Sequence, residues 1–285
     1  MTLPPLLPHF AAVAPDYDAL LCDVWGVVHN GLVATDAACD TLMRARARGA
    51  TVILITNAPR PSAVVARQLE KLHVPRETYD AIVSSGDVTR AVMEERHGQS
   101  LYHLGPERDR SMFDGFRLAP LERADYAVCS GLDDDETEKP EDYRGRLEAM
   151  LKRGLFLVCA NPDVVVERGP KLVYCAGAIA DLYAAMGGKV LYAGKPYRPI
   201  YDMALAKVAE AAGHAVPLNR VLAIGDSLRT DLKGAHALGV DFLFVTGGIH
   251  AEELGGREMP DGSALANAFA AAGDRPKAVM RALVW

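Results

Sequence analysis

Four short segments of this sequence place oxygen- or nitrogen-bearing side chains directly after apolar runs, the arrangement that delivers reactive groups to one edge of a parallel sheet. In residues 20–31 an apolar stretch runs into Asp23, and Gly26 and the Asn30-Gly31 pair supply turns. A carboxylate at a strand end can attack phosphorus, which divides one hard displacement into two easier ones. Alone, it could equally cap a helix or accept a turn hydrogen bond. In residues 54–60, Thr56 and Asn57 offer a hydroxyl and an amide able to donate to phosphoryl oxygens, with Pro61 opening a helix. In residues 192–199, Lys195 follows Gly194 and precedes Pro196, and an ammonium there can neutralise a phosphate and a carboxylate together. In residues 221–231, Asp226 follows an apolar strand and a glycine, with Asp231 five residues on. Such carboxylates suit Mg²⁺, which prefers oxygen ligands and keeps several waters. Asp231 is placed to cap the next helix or to make a supporting contact.

Such groups need strands behind them. Aliphatic runs without clean alternation at 19–24, 51–56, 80–84, 190–193, 220–225 and 241–245 read as strands buried on both faces. Helical periodicity falls between them at 36–48, 62–72, 87–97, 199–212 and 231–238, with Gly49 and Gly239 placed as C-terminal caps. This alternation predicts an α/β fold on a parallel, Rossmann-like sheet. Residues 87–188 interrupt it with strand candidates at 100–104, 126–129 and 156–160 and a helix at 143–153. That is enough for a second, inserted α/β domain, leaving 1–86 and 189–285 as the first. The acidic run 133–138 reads as a solvated loop, and the Ala-rich stretch 263–272 as a surface helix.

Half of the 285 residues are hydrophobic and 24% are charged, which suits one large globular domain or two ordinary ones. A net charge of −6 without a basic stripe argues against nucleic acid as a partner. No apolar run reaches the roughly eighteen residues that cross a bilayer. The proline-interrupted start lacks the charged region of a signal peptide. The expectation is a cytoplasmic protein without a membrane partner. Cys22, Cys39, Cys129, Cys159 and Cys175 form no CxxC pair, so buried reduced thiols are expected instead of a zinc site or disulfides.

Taken in order, Asp23, the Thr56-Asn57 pair, Lys195 and the GDSLRTD segment at 225–231 resemble the four motifs of the haloacid dehalogenase superfamily. The insertion between the second and third motifs is similar to the class IIA group, the NagD and p-nitrophenylphosphatase type. So are ANPD at 160–163, CAGA at 175–178 before a helix, and GKP at 194–196. The resemblance implies a Rossmann-like hydrolase core with an inserted α/β cap domain that sets substrate choice. It also implies a Mg²⁺-dependent phosphatase of small phosphorylated metabolites, of the sugar phosphate or nucleotide type. It assigns Asp23 as nucleophile and metal ligand, with the backbone carbonyl of Trp25 and the carboxylate of Asp226 as further ligands. Thr56, Asn57 and Lys195 would bind the phosphoryl group. Cap loops such as 164–171 and 177–179 would shape the substrate pocket, and relatives of this kind form homo-oligomers through their caps.

One position breaks the pattern. Phosphatases of that superfamily carry a second aspartate two residues after the nucleophile, as general acid and base, where this chain has Trp25. An indole transfers no proton at neutral pH, and general acid–base help is worth roughly 10²–10⁴-fold. Three readings stay open. His29 could serve as a substitute proton carrier in a phosphatase. The chain could instead cleave a bond other than a phosphoester, as dehalogenases of the superfamily carry an aromatic residue at this position and phosphonoacetaldehyde hydrolases a small one. Or it could be a catalytically weak phosphate-binding protein. A phosphatase-like hydrolase leads, because GDSLRTD and the strand-end lysine suit a magnesium-held phosphoryl group.

Overall fold

The computed structural model describes residues 3–168, 171–256 and 260–285, so Gly169 and Pro170 of the loop 164–171 lie outside the described residues. In chain order the strands are β1 (Ala19–Asp23), β2 (Thr51–Thr56), β3 (Ala81–Ser84), β4 (Ser100–Leu104), β5 (Arg117–Leu118), β6 (Tyr126–Cys129) and β7 (Leu157–Cys159). They continue with β8 (Val165–Arg168), β9 (Lys171–Tyr174), β10 (Val190–Tyr192), β11 (Val221–Gly225), β12 (Asp241–Val245) and β13 (Ala278–Met280). The helices are α1 (Asp36–Ala47), α2 (Ser62–Lys71), α3 (Ser85–Glu95), α4 (Arg144–Lys152), α5 (Ala176–Ala185), α6 (Arg198–Ala212), α7 (Lys233–Leu238) and α8 (Gly262–Ala272). The chain divides into two compact units. The first is Met1–Thr56, Val65–Val83 and Tyr201–Trp285, and the second is Asn57–Val64 and Ser84–Ile200.

The first unit is built on a sheet in the order β13-β12-β11-β1-β2-β3. The pairings of β1 with β2 and β11, β11 with β12, and β12 with β13 are all parallel. Every residue of β1, β2 and β11 is buried, which is why these stretches are mostly aliphatic instead of alternating. The α/β, Rossmann-like class expected from the sequence is the class observed. From β1 the chain builds outward to β2 and β3, and later returns to lay β11 on the other side of β1. That reversal opens a crevice beyond the carboxyl ends of β1 and β11, the usual ligand position in open α/β sheets. Gly49 after α1 and Gly239 after α7 stop their helices at φ +95° and +82°, backbone that glycine adopts without a Cβ penalty. The short edge strand β13, which also bridges Leu6 through Val279, had no counterpart in the sequence reading.

The second unit carries a five-stranded parallel sheet in the order β10-β7-β6-β4-β5, and a separate antiparallel hairpin of β8 and β9. Alternate strand residues feed two cores. Ala127, Cys129, Leu157 and Cys159 pack with Met150 of α4 and Ile179 of α5. Tyr126, Val128 and Val158 pack on the opposite face with Met93 of α3 and Phe113. Residues 190–193 read as one more strand of the first sheet, but β10 pairs with β7 instead, so the loop bearing Lys195 grows from the second sheet. Helix α3 starts two residues earlier than expected because Ser84 caps it. The Ser84 hydroxyl accepts from Asp87 N–H while the Asp87 carboxylate accepts from Ser84 N–H, each at 3.0 Å. The acidic run is a largely exposed loop, as expected, and its carboxylates also form ion pairs: Asp133 with Arg146 at 2.7 Å, Glu136 with Lys171 at 3.2 Å, and Asp135 with Arg108. All five cysteines are buried thiols, as expected. Among the described residues no helix is long and apolar enough to cross a membrane.

Candidate active site

Asp23 is the last residue of β1, and Asp226 directly follows Gly225, the last residue of β11. Both therefore stand at the crevice where the strand order of the first sheet reverses. Asp231 belongs to a π-turn, Leu228–Leu232, that runs into α7. The three residues are buried and bring carboxylate oxygens within 4.8 Å of one another. Three carboxylates gathered out of water repel unless a positive charge stands among them. An all-oxygen donor set of this kind fits Mg²⁺ and not a soft metal. Among the described residues no other trio of His, Cys, Asp or Glu side chains converges in this way.

Glycines hold this cluster in place. A Cβ on Gly26 would lie 2.0 Å from Asp226 Oδ2, and one on Gly248 would lie 1.9 Å from the same atom. The Ile249 N–H donates to that oxygen at 2.7 Å. Gly225 likewise makes room for Asp231, whose Cγ would be 2.3 Å from an added Cβ. Of the two roles expected of Asp231, the cap falls to Ser227, whose hydroxyl accepts from Thr230 N–H at 3.3 Å, and Asp231 makes the supporting contact. Asp231 turns back and accepts from Ser227 N–H at 3.1 Å. The loop of Gly248 and Ile249 was missed from the sequence. Its signal was present: paired glycines, Gly247 and Gly248, close after the carboxyl end of a buried strand.

Trp25 follows two residues after Asp23. Its indole lies against Gly31, where an added Cβ would come within 2.5 Å of the ring, and against the edge of His29 with centroids 5.2 Å apart. His29 is buried, and its Nδ1 lies 2.9 Å from Gly31 N. A backbone N–H only donates, so Nδ1 is the acceptor and the ring proton sits on Nε2. Burial pushes the His29 pKa down to about 4, so the ring is neutral at pH 7. Its one basic nitrogen is occupied, and its other nitrogen is an N–H too weakly acidic to protonate a leaving group. In this arrangement the neutral His29 ring packs against the Trp25 indole, with Nδ1 taken up by the Gly31 N–H.

Thr56 closes β2 and is buried. Asn57 and Lys195 meet in the second unit. Lys195 N–H donates to Asn57 Oδ1 at 2.7 Å, and Asn57 Nδ2 donates to the Lys195 carbonyl at 3.1 Å. Asn57 Nδ2 also donates to Asp163 Oδ1 at 3.0 Å. The carboxamide grips the Lys195 main chain as a neighbouring strand would, and both of its N–H groups are engaged. The Asn57 carboxamide, the group expected to donate to phosphate, is here a clasp for the backbone that carries the lysine. Gly194 permits the close approach, since a Cβ there would lie 2.3 Å from Asn57 Oδ1. Asp163, the last residue of ANPD, enters here as a positioning group that the sequence had marked without a role.

A family model of haloacid dehalogenase-like hydrolases matches residues 20–118, and a HAD-hydrolase-like model matches residues 192–272. The chain is 28% identical over 248 residues to a D-glycerol 3-phosphate phosphatase of Mycobacterium tuberculosis, a match covering 84% of this chain and 66% of that one. It is 23% identical over 240 residues to the 5'-nucleotidase YutF of Bacillus subtilis, covering 83% and 90%. A crystal structure of a hydrolase of the haloacid dehalogenase-like family from Brucella suis 1330 is 44% identical, with a TM-score of 0.86 over 98% of this chain and 100% of the other.

Proposed function

The chain belongs to the haloacid dehalogenase-like hydrolase family, in its NagD-like class IIA group, and from that membership we propose a Mg²⁺-dependent phosphatase of small phosphorylated metabolites that works through an aspartyl-phosphate. The observation that carries this reading is the convergence of Asp23, Asp226 and Asp231 at the crevice of the first sheet. Sugar phosphates or nucleotides are the substrate class, in keeping with relatives named as a D-glycerol 3-phosphate phosphatase and a 5'-nucleotidase.

Asp23, Asp226 and the Trp25 carbonyl would hold Mg²⁺, which supplies positive charge against the phosphoryl oxygens and the clustered carboxylates. Asp231 supports the turn that carries Asp226. A carboxylate oxygen of Asp23 attacks phosphorus, and the P–O bond to the leaving group breaks with its electron pair departing on that oxygen. The Thr56 hydroxyl donates to a phosphoryl oxygen. By its match to the third motif, Lys195 serves as a point charge for the same group. Water then attacks phosphorus and breaks its bond to Asp23, which regenerates the carboxylate and releases inorganic phosphate. Trp25 lends a proton to neither step, so leaving groups of low pKa such as p-nitrophenolate suit this site best. The second unit, in the place of the family's inserted cap, would set substrate choice. The buried thiols suit a reducing, cytoplasmic setting.

The test is steady-state hydrolysis of p-nitrophenyl phosphate with and without Mg²⁺ by the wild type and Asp23→Asn. Loss of the nucleophile should lower kcat by at least about a thousandfold. Unchanged turnover in the variant would remove Asp23 from the chemistry.

A further inference from the structure

The second unit repeats in its own sheet the reversal that makes a ligand crevice. β5 lies on one side of β4 and β6 on the other, so the chain leaves the carboxyl ends of β4 and β6 at one place. Polar groups gather there. His103 in β4 has Nε2 2.9 Å from the hydroxyl of Ser130, the residue after β6. Asp109 lies in the turn after β4 with its side chain only 3% exposed, yet its Oδ1 receives no hydrogen bond. The Nε of Arg60 stands off at 3.7 Å, beyond ordinary hydrogen-bond reach. Burial raises the Asp109 pKa, offset only in part by the Arg60 charge, a hydrogen bond from the Ser130 hydroxyl, the Arg108 charge and a weak hydrogen bond from Arg60, so the carboxylate is held on one side while Oδ1 stays without a close donor. A buried carboxylate oxygen left in this state is costly unless something supplies the missing donor.

Beside it lies a cleft of about 240 Å³ lined by Pro59, Arg60, Val64, Arg108, Asp109 and Met112. Gly86 lets the Arg60 backbone settle at its wall, since a Cβ there would lie 2.3 Å from the Arg60 carbonyl carbon. A donor and an acceptor 3.7 Å apart are both completed by a group that is itself both, accepting from Arg60 and donating to Asp109. An anion meets the Asp109 carboxylate, and the Arg108 guanidinium is already paired with Asp135. A hydroxyl fits. The Pro59, Val64 and Met112 walls suit the C–H faces of a short carbon chain.

We propose that this cleft is a hydroxyl-recognition subsite for a polyol or sugar, in which Asp109 accepts from a ligand hydroxyl and Arg60 donates to it. That the polyol is phosphorylated rests on the phosphatase reading above. The test compares glycerol 3-phosphate with n-propyl phosphate, and ribose 5-phosphate with n-pentyl phosphate, in the presence of Mg²⁺. Ratios of kcat/KM are read in the wild type, Asp109→Leu and Arg60→Gln. Ratios of calorimetric Kd are read in the same three proteins carrying Asp23→Asn. The wild type should favour the hydroxylated member of at least one pair by about tenfold or more, and both variants should bring that ratio towards one. Arg60 is 40% exposed at its side chain, so Arg60→Gln keeps the test standing if Asp109→Leu does not fold. A wild-type ratio near one for both pairs, or a preference untouched by the variants, overturns the subsite and leaves a water-filled cleft. If no ester is hydrolysed, the phosphatase reading falls while the Kd ratios still decide the subsite.

Discussion

Replacing Gly248 with alanine adds one carbon to the wall of the carboxylate cluster. That carbon would sit 1.9 Å from Asp226 Oδ2, 2.3 Å from its Cβ and 2.5 Å from its Cγ. Atoms that are not bonded do not approach this closely, so the side chain must retreat by about 1 Å or more. Retreat also breaks the 2.7 Å bond from Ile249 N–H, a charged hydrogen bond worth about 1.5–3 kcal/mol. A ligand misplaced by about 1 Å costs roughly 10²-fold in rate. Gly248→Ala should therefore lower kcat/KM on p-nitrophenyl phosphate about 100-fold and raise the half-saturating Mg²⁺ about tenfold, with Tm down by a few degrees. Gly145→Ala is the control, because no atom lies within 4 Å of its added Cβ and alanine suits the first turn of α4. Magnesium titrations of initial rate, with thermal melts of the three proteins, read the result. If Gly248→Ala keeps its rate and Mg²⁺ dependence within about threefold, the steric reasoning is refuted.

Trp25→Asp places a proton-transferring carboxyl two residues after the nucleophile. Turnover of an alkyl ester such as glycerol 3-phosphate should rise at least about tenfold, towards the roughly 10²–10⁴-fold that acid–base help supplies, with a smaller gain on p-nitrophenyl phosphate. An equal response of the two esters would show that proton supply is not what Trp25 limits. Acid should also weaken the fold through His29 and His103, whose pKa values burial lowers to about 4. Because the folded values lie below the ordinary value near 6.5, their stabilising effect is complete above that pH and drains away as pH falls towards 4. At pH 5 this amounts to about 2 kcal/mol for a fully buried ring and about 1 for the partly exposed His103. Urea unfolding at pH 7.5 and 5.0 should show His103→Gln losing about 1 kcal/mol less than the wild type between the two, and equal losses would contradict it.

The first sheet was readable because parallel strands covered on both faces leave unbroken aliphatic runs. Residues 51–56 and 241–245 were bounded to the residue, and Asp23 and Asp226 followed from the ends of such runs. Periodicity carries no address, however. Val190–Tyr192 has the look of a strand of the first sheet but pairs with Leu157–Cys159 of the second. The two-residue β5 and three-residue β13 are too short to leave any period. Around the site, residue types showed what each group could donate or accept but not to whom. Asn57 was legible as an amide, while its grip on Lys195 depends on an approach that only Gly194 allows. His29 was legible as a titratable ring, while its tautomer is set by one backbone N–H. Asp231 looked like a cap because the π-turn that delays α7 to Lys233 has no sequence period of its own. Asp109 was hidden in the charged stretch Glu107–Phe113, where composition suggests solvent and the fold supplies burial.

The chain has two tryptophans, Trp25 and Trp285. Trp285 rests near Phe10, with the Arg48 guanidinium 6.0 Å from its ring centroid. Trp25 is 38% exposed and shares a turn with Asp23. Indole emission shifts with the electric field across the ring, and the field at Trp25 changes whenever charge arrives at or leaves that aspartate. The residue that withholds a proton from the reaction is therefore also an indole fluorophore two residues along the chain from that carboxylate.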